Sequence, residues 1–233
     1  MDLNAVKLLK GIDLFSRLSE AQLHQLASLV EKKEYFKEET IILEKDDSLQ
    51  ALYLIADGEV KVYMTDSDAK ETILSLLGKG DFFGEMSLID GEPRSASVKA
   101  VTDATLLIIR REVFLTLLQE TPELSISLLI EMSSRLRKAN RHIGSLSTMS
   151  AFSRVVGTIQ NLVQEKGVRV HNEEGGMSVV IRNRPTQQQF AEMTGTTRET
   201  VSRVFSSLVK KGVISVVGKE LVILDEDVLE NKI

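Results

Sequence analysis

The chain contains no cysteine and no tryptophan. Without thiolates it holds no disulfide, no cysteine-ligated iron–sulfur cluster and no cysteine-based zinc site. Its three histidines, His24, His142 and His171, stand far apart in the sequence, so no metal and no haem are expected. Proline is scarce, with three residues in 233, and aromatic residues make up 5%. No apolar run approaches the ~18 residues of a membrane span. The opening MDLNAVKLLKG lacks the apolar stretch and small-residue cleavage site of a secretory leader. A cytoplasmic location with no membrane partner is therefore expected. No phosphate-cradling Gly-Lys loop and no nucleophile–base pair stands out, so the chain does not read as an enzyme.

What is present is an ordinary globular composition, 42% hydrophobic and 27% charged, in a length that suits one large domain or two ordinary ones. The net charge of −5 is unevenly spread. Residues 1–150 carry 18 Lys/Arg against 24 Asp/Glu, residues 151–219 carry 10 against 5, and residues 220–233 carry 1 against 5. A basic segment inside an acidic chain points to a polyanion partner for that segment.

Hydrophobic patterning divides the chain into three. Ser19 is placed to cap EAQLHQLASLV, with Gln22 at the capping-box position. From about Tyr35, short runs rich in Ile, Leu, Val and Tyr (TIILEK, ALYLIA, EVKVYMT, ETILSLL, ASVKAV, ATLLIIR) alternate with turn sequences. That spacing predicts a β-sandwich or roll. Thr121-Pro122-Glu123 then reads as a helix start, with Thr121 as cap. Leu129, Met132, Leu136, Ala139, Ile143 and Leu146 follow at alternating spacings of three and four, which predicts a narrow coiled-coil seam joining two copies of the chain. After Met149 come a helix from about Ala151 to Gln164, a hairpin KGVRV–MSVVIR turning at NEEGG, two helices in quick succession, and the strands VISVV and ELVIL joined through Gly218 and Lys219. The expected architecture is α+β: a strand-rich unit over 1–120, a long self-pairing helix over 121–149, and a mixed helix–strand unit over 150–233.

The helix pair has the spacing of a DNA reader. Thr186 caps the first helix with Gln189 at its capping-box position, Ala191 allows a close crossing, Gly195 permits the turn, and Thr196 caps the second helix. Val201 and Val204 face back toward Phe190. The second helix opens TTRETVSR, so its first turns would meet base edges in a major groove. Arg198 and Arg203 can each fork onto guanine, and Glu199 can accept from cytosine. Glu199 also suits a capping box with Thr196 or an ion pair with Arg203. Thr197 and Thr200 suit phosphate or thymine contact, and Gln187 and Lys219 complete the expected DNA-contacting set.

RETVSR after a TG turn, with a Gly-Lys wing turn beyond it, resembles the CRP/FNR family of bacterial transcription regulators. So do LYLIADGEVKVY, LGKGDFFGEMSLIDGEPRSASVKA and the long helix, over almost the whole chain. The resemblance implies a cyclic-nucleotide-binding β-roll sensor over 1–120, a dimerisation helix and hinge over 121–149, and a winged helix-turn-helix over 150–233. It implies a homodimer on double-stranded DNA with palindromic TGTGA-like half-sites, and RNA polymerase as a partner. It also implies a phosphate-binding cassette, FGE…PR-small-A, which stands here as FGEMSLIDGEPRSAS. A cyclic nucleotide offers one phosphate charge and one ribose hydroxyl. Arg94 can hold the phosphate with Ser95 and Ala96 beside it. Glu85 can accept from the ribose hydroxyl, and Gly84 lets the backbone come close, with Met86 next in the cassette. By family register Ala139 and Asn140 lie against the base, and Arg135 points to the same zone, where it can pair with Glu85. Ala139 stands where relatives place a polar residue. The effector is expected to be cAMP, with cGMP and cyclic di-GMP as alternatives. The same residues also fit a regulator that responds to another ligand or to none, and a sensor that docks a protein partner.

Overall fold

The computed structural model describes residues 3–46, 50–171 and 177–230. The expected turn NEEGG falls at 172–176, outside the described residues. The chain forms two compact units that divide between Arg137 and Lys138, inside the long helix.

The first unit opens with helix α1 (Leu3–Lys10), a 3-10 turn (Asp13–Phe15) and α2 (Glu20–Ala27). Ser19 caps α2, and its capping box with Gln22 is complete. Eight strands follow: β1 (Glu31–Tyr35), β2 (Thr40–Ile42), β3 (Ala51–Asp57), β4 (Val60–Thr65), β5 (Glu71–Leu77), β6 (Phe82–Phe83), β7 (Ser97–Ala100) and β8 (Ala104–Arg110). The short helix α3 (Glu85–Asp90) stands between β6 and β7, α4 (Arg111–Glu120) follows β8, and the long helix α5 (Pro122–Thr148) begins after it. The strands make two antiparallel sheets, ordered β1-β8-β3-β6 and β2-β7-β4-β5.

Strand β3, ALYLIA, is buried over its first six residues, because it lies between two cores. Ala51, Tyr53 and Ile55 join one cluster with Leu106 of the neighbouring strand β8 and with Val60 and Val98 of the other sheet. Leu52, Leu54 and Ala56 join the other, with Leu9, Phe15, Leu26, Phe114, Leu124 and Leu128 from the helices. Successive side chains of a strand point to opposite faces, so a strand with apolar residues throughout is stable only when both faces are covered.

The Thr121 hydroxyl accepts from Gln22 Nε2 at 2.9 Å and so ties α2 to the start of α5, while the Thr121 carbonyl accepts from the Leu124 and Ser125 N–H groups at the cap position of α5. One expected feature of this region is corrected. Met132 is not on the exposed seam: it is partly buried against the unit's own core. The exposed apolar stripe of α5 runs instead through Ile126, Leu129, Ile130, Leu136 and Ile143, which are 50–64% exposed. Leu146 is 44% exposed, and Ala139 is exposed as well.

In the second unit, α6 (Ala151–Lys166), β9 (Gly167–His171), β10 (Met177–Ile181), α7 (Gln187–Thr194), α8 (Arg198–Lys210), β11 (Ile214–Val217), β12 (Glu220–Ile223) and α9 (Glu226–Glu230) follow the end of α5. The antiparallel sheet is ordered β11-β12-β10-β9. One core holds Val155, Val156 and Ile159 of α6 with Phe190 and Ala191 of α7, Val201, Val204 and Phe205 of α8, and Ile214 and Leu221 of the sheet. Phe190 and Phe205 meet edge to face, with centroids 5.1 Å apart. Thr186 caps α7 with a complete capping box to Gln189.

Candidate ligand site and nucleic-acid interface

The first candidate site is built where β6 passes into α3. Gly84 caps α3 at φ +86°, in the left-handed region. A Cβ there would stand 2.8 Å from Arg94 Nη1 and 2.9 Å from Ala51 O, so only glycine fits. Arg94 is 5% exposed. Its Nη1 donates to Gly84 O at 2.8 Å and its Nη2 to Ala51 O at 3.2 Å. The guanidinium lies 6.0 Å from the Tyr53 ring centroid, and Tyr53 stacks on Phe83 at 5.1 Å. Burial lowers the pKa of Arg94 and pushes the Tyr53 hydroxyl up to about 12. The Arg94 carbonyl accepts from Lys45 N–H, which holds the loop after β2 across the cassette.

Glu85, the first residue of α3, is 4% exposed. Its Oε1 accepts from Arg135 Nη1 at 3.2 Å. Its Oε2 is buried and has no hydrogen-bond partner among the described residues. Burial pushes this carboxyl above the usual carboxylate range, and Arg135 opposes the shift. Arg135 is itself fixed by Glu131 Oε1 at 2.8 Å, by Phe82 O at 2.8 Å and by the Phe82 ring 4.6 Å below the guanidinium. A carboxylate oxygen left without a partner costs free energy unless something donates to it. The cluster therefore presents one acceptor oxygen and one buried cation, together with the hydroxyl of exposed Ser95 and the small, half-buried Ala96. Ser95 Oγ lies 3.8 Å from Met86 Sδ.

Gly84, Glu85, Met86, Arg94, Ser95, Ala96 and Arg135 are thus gathered in the first unit. Asn140 and Ala139 lie in the second unit, both exposed on α5. Tyr53, Phe82 and Glu131 also serve the site. The sequence reading did not select them, because strand and helix runs of ordinary composition do not announce which residue will lie under a cation.

The second candidate site is the outer face of α8. Here the expected cap is corrected by one residue: Thr197, not Thr196, caps the helix, and its hydroxyl accepts from Thr200 N–H at 3.2 Å. Glu199 therefore stands at the second helical position and is not a capping-box residue. It is held below the usual carboxylate range by the N–H groups of the helix start and by the Thr197 hydroxyl. Arg198, Glu199 and Arg203 are exposed, Thr200 is half-buried, and Val201 and Val204 are buried beneath them. Lys219 is exposed on the turn between β11 and β12, and its carbonyl accepts from Arg184 N–H at 2.9 Å. Between α8 and β11 lies an open cleft of about 370 Å³, lined by Arg184, Gln187, Phe205, Ser206, Val209, Lys210 and Val216.

Known families match both halves of the chain. Residues 33–121 match the cyclic nucleotide-binding domain, and residues 153–232 match the Crp-like helix-turn-helix domain. The "Cyclic AMP receptor protein" of Thermus thermophilus is 34% identical over 206 residues, covering 88% of this chain and 89% of that one. The "cAMP-activated global transcriptional regulator CRP" of Escherichia coli O157:H7 is 31% identical over 189 residues, covering 81% and 87%. Among solved structures, FixK2 from Bradyrhizobium japonicum superposes with a TM-score of 0.77 over 87% of this chain and 96% of its own. At 22% identity it speaks for the fold.

Proposed function

The chain belongs to the CRP/FNR family, a ligand-responsive transcription regulator and not an enzyme, and from that premise we propose that its effector is cAMP and that the effector acts by repositioning paired recognition helices on a palindromic operator. The observation that carries this reading is the pairing of Glu85 Oε2, buried and without a hydrogen-bond partner among the described residues, with Arg94, buried and held by two carbonyls. Arg94 supplies the charge for a phosphate. Glu85 supplies an acceptor for a sugar hydroxyl. Two relatives of similar length whose names state cAMP support the choice of nucleotide.

Arg135 gives the site a route to the rest of the molecule. It holds Glu85 from α5, the helix whose exposed stripe of Leu129, Leu136, Ile143 and Leu146 suits a second copy of the chain. A ligand that engages Glu85 changes the terms of that pair. A difference in affinity between two arrangements of α5 then shifts their populations. Coupling of about 1–3 kcal/mol would tighten DNA binding by roughly 5–150-fold. On the DNA side, Arg198, Glu199 and Arg203 are the base-reading candidates. Gln187, Thr197, Thr200 and Lys219 are the positioning ones. Asn140 remains the candidate base contact for the nucleotide, and RNA polymerase the proposed partner of the DNA-bound dimer. Among the described residues no single helix is long and apolar enough to cross a membrane, which accords with a cytoplasmic regulator.

The test is a selection of DNA sequences from a random pool with cAMP, with cGMP, with cyclic di-GMP and with no nucleotide. Enrichment of a palindrome that depends on cAMP is the expected result. Enrichment of the same site in all four arms would overturn the ligand mechanism. No enrichment in any arm would overturn the proposed operator.

A further inference from the structure

One guanidinium closes the ends of two helices in the second unit. Arg154, near the start of α6, donates from Nε to Thr194 O at 2.7 Å, from Nη1 to Met149 O at 2.9 Å and from Nη2 to Gly195 O at 3.1 Å. Met149 is the residue after α5, Thr194 is the last residue of α7, and Gly195 is its left-handed cap at φ +60°. The last carbonyls of a helix have no partner within it and carry the negative end of its dipole. A cation at such an end is favourable, and three acceptors in different directions suit the planar five-donor fork of arginine, not the single point of lysine.

The same joint has an apolar side. Leu146 Cδ2 comes within 3.1 Å of where a Cβ on Gly195 would stand. At the far end of the α5–α6 pair, Lys138 Nζ donates to Glu165 Oε1 at 2.8 Å. The segment 138–149, the last turns of α5 and the residue after it, is therefore fastened to α6 at both ends, and at one end to the turn that sets the angle between α7 and α8.

We propose that Arg154 is a positioning residue that locks the helix-turn-helix turn to the C-terminal end of α5, so that any displacement of that helix end is delivered to α8. Arg154 acts through backbone carbonyls and needs no contact with DNA. The functional consequence rests on the reading of α8 as the recognition helix. The linkage itself belongs to the fold of the second unit and is measured separately.

Hydrogen exchange on the full chain reads the linkage directly, since local opening exposes the amides concerned. In the wild type, Met149 N–H donates to Ser145 O and Thr196 N–H to Ala191 O. In Arg154→Gln and in Arg154→Lys these two amides should exchange at least about tenfold faster, and together. The amides of Val156, Phe190 and Phe205 in the core should keep their protection. Lysine retains the charge but not the three-way geometry, so Arg154→Lys should fail to restore the joint protection. On a duplex selected with the wild-type protein, both variants should bind at least about tenfold more weakly, with binding to a scrambled duplex at low salt within about twofold of wild type. Unchanged exchange at either amide would overturn the proposal. An equal loss on both duplexes with a lowered unfolding temperature would overturn it too, because that is the result of a general packing defect. A wild type that selects no DNA would instead remove the recognition-helix reading, and the exchange data would still decide the linkage.

Discussion

Arg135 Nη1 stands 3.2 Å from Glu85 Oε1, so the side chain proposed to meet a ligand is also the one that tethers α3 to α5. Glu85 is almost wholly buried, and its second oxygen has no hydrogen-bond partner among the described residues. A buried ion pair contributes little net stability after desolvation. Its presence here is better accounted for by what it can bind than by what it holds together.

Glu85→Gln should therefore separate stability from ligand binding. Burial raises the carboxyl's pKa in the folded state above its ordinary value of about 4.3. The unfolded chain then loses its proton first, and wild-type stability from this group falls as pH rises from there through the folded value. The variant lacks that penalty. Its advantage over the wild type in urea unfolding should be larger at pH 8 than at pH 4, while the calorimetric signal for cAMP disappears. A wild type that gained on the variant with rising pH would contradict the assigned cause.

Gly84→Ala should cost about 1–3 kcal/mol of sensor stability. The new methyl would be strained at φ +86° and would meet Arg94 Nη1 and Ala51 O below 3.0 Å. Arg94→Ala keeps Gly84 but removes the cation, and should weaken cAMP binding by about 3 kcal/mol, roughly a hundredfold. Denaturant unfolding and titration calorimetry on both variants would check the pair of effects. An Arg94→Ala chain that binds cAMP normally would remove the cassette from the mechanism.

Leu136→Glu should dissociate the expected dimer. Leu136 is 63% exposed in the single chain, on the stripe with Leu129 and Ile143. Covering each such side chain is worth about 1.5–3 kcal/mol, and a carboxylate in the seam reverses the sign. Sedimentation velocity should show a dimer for the wild type and a monomer for the variant, with circular dichroism unchanged.

Arg198→Ala and Lys219→Ala should fail in different ways. Loss of Arg198 should cost about 1–3 kcal/mol of discrimination at one base position. Loss of Lys219, on the turn between β11 and β12, should weaken all duplexes alike and lower the slope of log affinity against log salt by about 1. Binding titrations at several salt concentrations on matched and single-mismatch duplexes distinguish the two.

The features legible before the structure were the local ones. Ser19 with Gln22, and Thr186 with Gln189, are bonds between residues three apart, and short-range chemistry is written in order along the chain. At Thr196-Thr197 two residues of the same capping chemistry stand side by side, and the folded helix begins at Arg198 with Thr197 as its cap. Strand β1, EKKEY, shows no apolar alternation, because four of its five residues are exposed. It is a strand through its pairing with β8. Met132 fits a heptad as well as its neighbours do, and it left the stripe because the sensor core covers that side of α5.

By itself the order of residues determined the two kinds of domain, the capped helices, the glycine-bearing cassette and the basic reading helix, because each rests on nearby groups or on periodic burial. Tertiary structure alone decided that Glu85 would meet Arg135, that Tyr53 would lie under Arg94, and that Arg154 would gather three carbonyls. Those partners are distant in sequence or are backbone atoms common to every residue type, and only folding brings them within hydrogen-bonding range.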